Sequence, residues 1–333
     1  MATENGLAEI EISDMSLEEK ADWIQTNVGD KKNHDRFGLY SQIGIQYGSP
    51  STGQAGVSDN DALWTSQFAV PQVLRYAVQK TKNAENLNEI RDLCWRNVAG
   101  FELLNNVSGI AGLPARTVQE GEITGSDNWH VSETVPGFSW KGDTSADSLV
   151  GHHFYYAVAY KYLAENEEEK AKLSKYPLEN LNYLVENDLK LIDVDGEPTK
   201  WGFFDPWKLN YGENPNERPL YSTSILSYLT AGIAYCQDAG SSTCEALFRD
   251  EFWYLYEEHD YRNNVLNGLI TSPEERNYSD DEQYFQAILP FFIYCDQVWG
   301  ENLDVIDTFK TGIEQVWKYA KKDGSSAWQG RSS

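Results

Sequence analysis

Apolar residues recur along most of this chain at the three-to-four spacing of helices rather than the alternation of strands. Helical patterns run over about 60–80, 84–106, 144–164, 167–189, 218–238, 244–260, 280–298 and 303–322. They pair into four hairpins with short internal turns, each hairpin separated from the next by a long loop. The first helix of each hairpin is the more apolar or aromatic, as at Phe68-Ala69-Val70, Phe154 to Val158, Ile225 to Leu229 and Ala287 to Leu289. The second carries charge on one face, as at Glu85, Glu89 and Asp92, then Glu167 to Lys170. Apolar inner helices alternating with amphipathic outer ones are what a ring of α-hairpins requires. The expected fold is therefore all-α, an α/α toroid. A capping box, Ser16-Leu17-Glu18-Glu19, opens a further short helix at about 16–28. Pro71 and Pro290 fall within helical patterns and should start or kink a turn. No linker interrupts the chain, so 1–333 is expected to be a single domain.

In such a ring the inner helices run parallel and their N-termini meet at one end. Clustered acids stand at three of those starts: Ser58-Asp59-Asn60-Asp61, Gly142-Asp143-Thr144-Ser145-Ala146-Asp147 and Tyr278-Ser279-Asp280-Asp281-Glu282. Capping of exposed backbone N–H groups explains any single aspartate there. It does not require a second and third carboxylate with Trp and His close by. The long segments 109–141 and 193–217 should lie at the same mouth, since loops of that length inside a compact domain are usually functional.

Charge narrows the partners. The chain of 333 residues holds 52 acidic and 27 basic side chains, a net charge of -25. That field repels nucleic acid and anionic membranes, so neither is expected as a partner. No apolar run approaches the roughly 20 residues that span a bilayer, and the acidic, polar start is unlike a signal peptide. Trp 11 and Tyr 20 make an aromatic-rich chain, with flat faces and polar edges suited to stacking on sugar rings. Of the 4 cysteines, Cys236 and Cys244 flank a short loop that a disulfide would close, while Cys94 and Cys295 lie in apolar helical patterns. No His-Glu-x-x-His or EF-hand spacing is present, so no cofactor or metal is expected, the alternative being a divalent ion held by the carboxylates and one imidazole. Compartment and oligomeric state are open.

Several segments carry a resemblance. They are Asp59 to Ser66, Gly109 to Arg116, Trp140 to Ser145 through Gly151-His152, Trp201-Gly202 through Leu209-Asn210, and Ser279 to Glu282, spread over about 55–290. With these the chain resembles the α/α-toroid (six-hairpin glycosidase-like) proteins, and more closely an uncharacterised group of helical domains found beside sensor propellers in bacteria. The resemblance implies a ring of six hairpins; four and an N-terminal helix are evident, so the ring is expected to be incomplete or its other helices to lie in the long loops. Ser148 stands where the related pattern tends to have Glu.

The reaction that suits these residues is glycoside hydrolysis, which needs a protonated carboxyl beside the leaving oxygen and a second carboxylate to activate water or attack carbon. Asp61, Asp143 and Asp281 are the first candidates, with Asp147 and Glu282 beside them. His130 and His152 are open to general acid–base roles, while His153 amid Phe154 and Tyr155 reads as core. Trp64, Trp129, Trp140 and Trp207 would offer stacking surfaces, Arg116 would orient a substrate oxygen or carboxylate, and Tyr221 is a further binding candidate. The ligand expected is an oligosaccharide or small molecule. The competing readings are a non-catalytic glycan or small-ligand binding domain, a lyase using Arg116, Tyr221 and His130, and an isomerase or cyclase in a closed apolar pocket.

Overall fold

The computed structural model describes residues 2–3, 6–7, 14–30, 34–44, 54–125, 128–212, 215–268 and 278–322. These are predominantly helical: α1 (Leu17–Ile24), α2 (Asp61–Thr81), α3 (Leu87–Asn106), α4 (Ala146–Tyr162), α5 (Glu167–Glu186), α6 (Pro206–Tyr211), α7 (Arg218–Asp238), α8 (Ser242–Trp253), α9 (Tyr261–Asn267), α10 (Tyr278–Trp299) and α11 (Leu303–Lys322). The eight long helices of the sequence pattern are all present. The Ser16–Glu19 capping box forms as read, each partner satisfying an amide of the other. Among the described residues no helix is long and apolar enough to cross a membrane.

Burial separates inner from outer helices. In α7 every residue from Leu220 to Cys236 is buried, and α4 is nearly as enclosed, whereas α5 and α8 bury a few positions each. A helix surrounded by protein has no need of a polar face, which is why α4 and α7 lack one. The inner helices pack in the order α2, α4, α10, α7, with α4 also touching α7 directly. Gly151 makes the α2–α4 approach possible, because a Cβ there would stand 2.4 Å from the Ala62 carbonyl. Both α2 and α10 continue through Pro71 and Pro290 rather than breaking. Beside Pro290, the Phe291 amide donates to Ser227 Oγ on α7 at 2.9 Å, so the irregularity also ties two inner helices.

The four inner helices run in one direction. At one end Asn60, capping α2, bonds Ser145 and Asp147 at the start of α4. At the other, Tyr76 of α2 bonds Glu165 just past α4, and Asp238 at the end of α7 is met by Tyr160 of α4 and Gln297 of α10. The N-termini of α2, α4, α7 and α10 therefore share one end.

The two long segments are not structureless. Residues 109–141 hold a three-stranded antiparallel sheet with Phe138–Lys141 at its centre, flanked by Thr117–Glu120 and Trp129–Val131. Residues 190–212 form the hairpin Lys190–Ile192 with Pro198–Phe203, then α6. Two short helices stand outside the sequence pattern, α6 within 193–217 and α9 after α8. A disulfide joins Cys236 to Cys244 across the α7–α8 turn, and Cys94 and Cys295 are buried free thiols.

Candidate functional site

Three of the four inner helix starts deliver one carboxylate each to a common cavity of about 230 Å³. Asp147 comes from the first turn of α4, Glu217 from the N-cap of α7 and Asp280 from the first turn of α10. Arg116, Ser145, Trp201 and Tyr221 complete the lining. Carboxylates at helix N-termini are favoured by the helix dipole, which explains how each is tolerated. Their convergence is a product of the parallel inner helices.

Asn60 and Arg116 set the geometry on one side. Asn60 donates from Nδ2 to Asp147 Oδ2 at 3.1 Å, and its Oδ1 accepts from Ser145 Oγ at 3.0 Å and Arg116 Nη2 at 3.3 Å. Arg116 in turn donates to the carbonyls of Asp59 and Asp143, at 2.7 and 3.1 Å. One guanidinium thus knits the starts of α2 and α4 and supplies the cavity's positive charge.

Every acid in the cavity is pushed toward its protonated form. Burial raises Asp147, with Arg116 and the Asn60 bond pulling the other way. Burial raises Glu217 as well, and the nearby Asp147 charge adds to it. Asp280 is raised furthest, to about 7, by burial and then by the charges of Glu217, Asp147 and Asp281. Like charges sharing a poorly solvated space cannot all ionise at neutral pH, so one carboxyl keeps its proton beside another that has lost it. Among the described residues no three His, Cys, Asp or Glu side chains are grouped closely enough to hold a metal ion.

The residues singled out by sequence fall into different places. Asp147, Arg116 and Tyr221 line the cavity; Asp61, Asp143 and Asp281 share its end of the molecule but not its lining. Asp61 is fully buried in a separate knot, 3.3 Å from Arg36 Nη1 and accepting from Ser41, Ser58 and Thr117. Asp143 does not cap α4, whose N-cap is Ser145. It sits two residues earlier at φ 54°, where its carboxylate accepts from the Lys200 amide at 2.8 Å and pins the neighbouring hairpin. Asp281 is buried beside Asp280, and Glu282 is half-buried next to it.

Neither histidine candidate reaches the cavity. His152 is wholly buried between α3 and α4, its Nδ1 3.2 Å from Asn105 Nδ2, and burial drives it down to about 3, which keeps it neutral. His153 behaves alike, stacked on Tyr228 at 4.0 Å. His130 lies in the small sheet, 4.7 Å from the Trp140 ring. Trp140 is buried in that sheet's central strand, so it offers no ring face to a ligand. Trp129 is half-buried in an edge strand, and Trp64 is exposed on α2 outside the cavity. Trp207 is exposed at a second cavity, whereas Trp201 lines the first. Ser148 is buried, its Oγ 3.5 Å from Asn60 Oδ1.

Glu217 escaped the sequence reading. Its signal was the Arg218-Pro219 that follows, since proline in the first turn marks a helix start and makes the preceding acid a cap-position carboxylate. Compared with known protein families, curated proteins and solved structures, the chain matches none of them. What the site does must follow from its own geometry.

Proposed function

We propose that the protein is a carbohydrate-active hydrolase, built as an incomplete α/α toroid, that works through the carboxylates at the common N-terminal end of its inner helices. The observation that carries this reading is Asp280 raised to about 7 in a cavity it shares with Asp147 and Glu217. Glycoside hydrolysis asks for that division of labour, a carboxylic acid that still holds its proton and a partner already ionised. Asp280 is the proton donor to the leaving glycosidic oxygen. Asp147, held by Asn60 and facing the Arg116 charge, is the carboxylate that activates water or attacks the anomeric carbon. Glu217 accepts from substrate hydroxyls, and Trp201, about a third exposed, gives the sugar a ring to lie against.

The small volume bears on the substrate. Pockets for drug-sized ligands span roughly 300–1,000 Å³, so this one admits about one sugar residue, the end of a chain or a small glycoside. A lyase would need an exposed cation to neutralise a uronate, and Arg116 is already committed to three oxygens of the protein.

The test is turnover of a panel of oligosaccharides and aryl glycosides by Asp280→Asn and Asp147→Asn proteins. Both variants keep the shape of the side chain, so they should remain folded while turnover falls by about 10² or more. Full turnover in a folded Asp280→Asn protein would remove the acid and with it the mechanism. Glycan binding with no turnover in the unmodified protein would leave a binding domain in its place.

A further inference from the structure

A second concave site, lined in part by Asp205 to Tyr211 of the 201–217 segment, shares no lining residue with the carboxylate cavity. It has a volume of about 360 Å³ and lies between the C-terminal ends of α5 and α8 and the short α6. Trp207 and Tyr211 sit four apart on α6, on one face, and are 74% and 75% exposed. Their rings lie 5.4 Å apart at 41°. Tyr254 contributes a third ring, half exposed, packed edge-on against His259 at 4.3 Å.

The platform is rigidly mounted. Asp205 caps α6 by accepting from the Lys208 amide at 2.9 Å, and Leu209 is buried beneath it. Asn210 donates to the His259 carbonyl at 2.7 Å and accepts from Asn264 at 2.9 Å, while Arg218 holds the Leu209 carbonyl at 3.1 Å. Six residues so firmly anchored, with their two largest apolar rings turned to water, are unfavourable unless something covers those rings.

The rim supplies acceptors in search of donors. The carboxylate of half-buried Glu251 has no hydrogen bond or ion pair to the described residues; burial, then the nearby Asp188 charge, raise it. The second carboxylate oxygen of Asp205, buried in the cavity wall, also lacks a partner among the described residues.

We propose that this cleft is a second carbohydrate-binding site, a stacking platform for a neutral oligosaccharide, with Trp207 and Tyr211 under the sugar rings and Glu251 and Asp188 accepting from hydroxyls. A sugar presents both an apolar C–H face for the rings and a rim of O–H donors for the carboxylates, which is what the two halves of the cleft ask for. A compact organic cation fits less well. Its attraction to aromatic faces grows only when rings enclose and desolvate it, and these two lie open to solvent. The proposal takes its ligand class from the hydrolase reading but needs none of its chemistry, since binding here is measured without turnover.

The experiment is affinity electrophoresis of the full chain in gels containing soluble β-glucan, xylan, glucomannan or amylopectin. The unmodified protein should be retarded by at least one of them. Trp207→Ala should weaken that retardation about tenfold or more, since removal of a central aromatic anchor typically costs that much. Its melting temperature should not change, because the side chain packs little. Asp280→Asn should remain retarded, which places the binding outside the carboxylate cavity. Hydrolysis of a small aryl glycoside should be intact in Trp207→Ala, so a failed platform and a failed hydrolase give different patterns. Absence of retardation in all four gels would overturn the proposal, as would retardation equal in Trp207→Ala, or lost in a folded Asp280→Asn protein. Quenching of Trp207 fluorescence by choline chloride but by none of the polysaccharides would overturn it in favour of a cation site.

Discussion

At the start of α2, Asp61 is met by Arg36, Ser41, Ser58 and Thr117. At the starts of α4, α7 and α10, Asp147, Glu217 and Asp280 share one cavity with Arg116, and the Asp147 charge raises both of the other acids. Both regions are acids at the start of an inner helix, at one end of the same molecule, fully buried in the first and half-buried in the second. In the first, the donors outnumber the carboxylate and join the 34–41 hairpin, the sheet strand Thr117–Glu120 and α2 in one knot. In the second, three carboxylates are crowded into one cavity. Burial raises Asp61 as it raises the cavity acids, but at Asp61 the hydroxyls and Arg36 oppose it, whereas Glu217 and Asp280 are raised further by neighbouring carboxylates, a pattern that marks a candidate site. The two regions should therefore respond in opposite directions when their acids are removed.

The largest effect is expected at the knot. Asp61→Ala removes the acceptor of three hydroxyls and the ionic partner of the nearly buried Arg36, which keeps the Gly56 and Val118 carbonyls. Breaking a buried pair in this way costs about 3–5 kcal/mol, which lowers Tm by about 6 °C or more. Thermal melting followed by circular dichroism measures it. A Tm close to that of the unmodified protein would mean that the knot is no more structural than the cavity.

Next in size is the pH dependence of turnover. With Asp280 raised to about 7, the acid form is lost above that pH, and kcat/KM should fall about tenfold per unit on the alkaline side. A profile flat to pH 9 would assign the proton donation elsewhere.

Stability should show the same group with a smaller amplitude. The Asp280 carboxyl ionises at 3.8 when unperturbed and at about 7 in the fold. A group whose folded value is raised favours the folded state fully below the lower value, and that contribution is lost as pH rises through the upper one. Asp280→Asn never ionises. It should melt with the unmodified protein below about pH 4 and about 2–4 °C above it at pH 8, with the difference opening between. A variant less stable at pH 8 would show that donors hold the ionised carboxylate in the fold.

How much of this contrast could be read from sequence follows from what each part depends on. Helix positions were legible because the apolar spacing in α2, α4, α7 and α10 is local, and so was the sharing of one end by the acidic starts of α2, α4 and α10, though not the acid at the start of α7. The partner of each acid was not, because Arg36 and Thr117 reach Asp61 across 25 and 56 residues of sequence. Among neighbouring acids, one step along a helix turns a side chain by about 100°, so Asp280 lines the cavity and Asp281 does not. Trp140 was misplaced for a similar reason. The alternation of a strand, hidden inside a segment read as loop, turned its ring inward.

The smallest effect is expected at Asp143, one of the three first catalytic candidates of the sequence, which the structure places outside the cavity lining. Its backbone is left-handed, a conformation that Asn tolerates as well as Asp, and Asn keeps an oxygen to accept from the Lys200 amide. What Asn gives up is the 4.0 Å approach to Arg116, a contact at the limit of an ion pair and worth little at a partly exposed position. Asp143→Asn should therefore shift Tm by no more than about 2 °C and change turnover by less than about twofold. Asp143→Ala should lose more, because alanine has no acceptor for Lys200 and pays about 1 kcal/mol or more for the left-handed backbone. Reading Tm and turnover on both variants separates the roles: a loss in Ala that Asn restores marks a hairpin pin. A folded Asp143→Asn protein with turnover down by about 10² would instead extend the reacting carboxylates to the loop before α4.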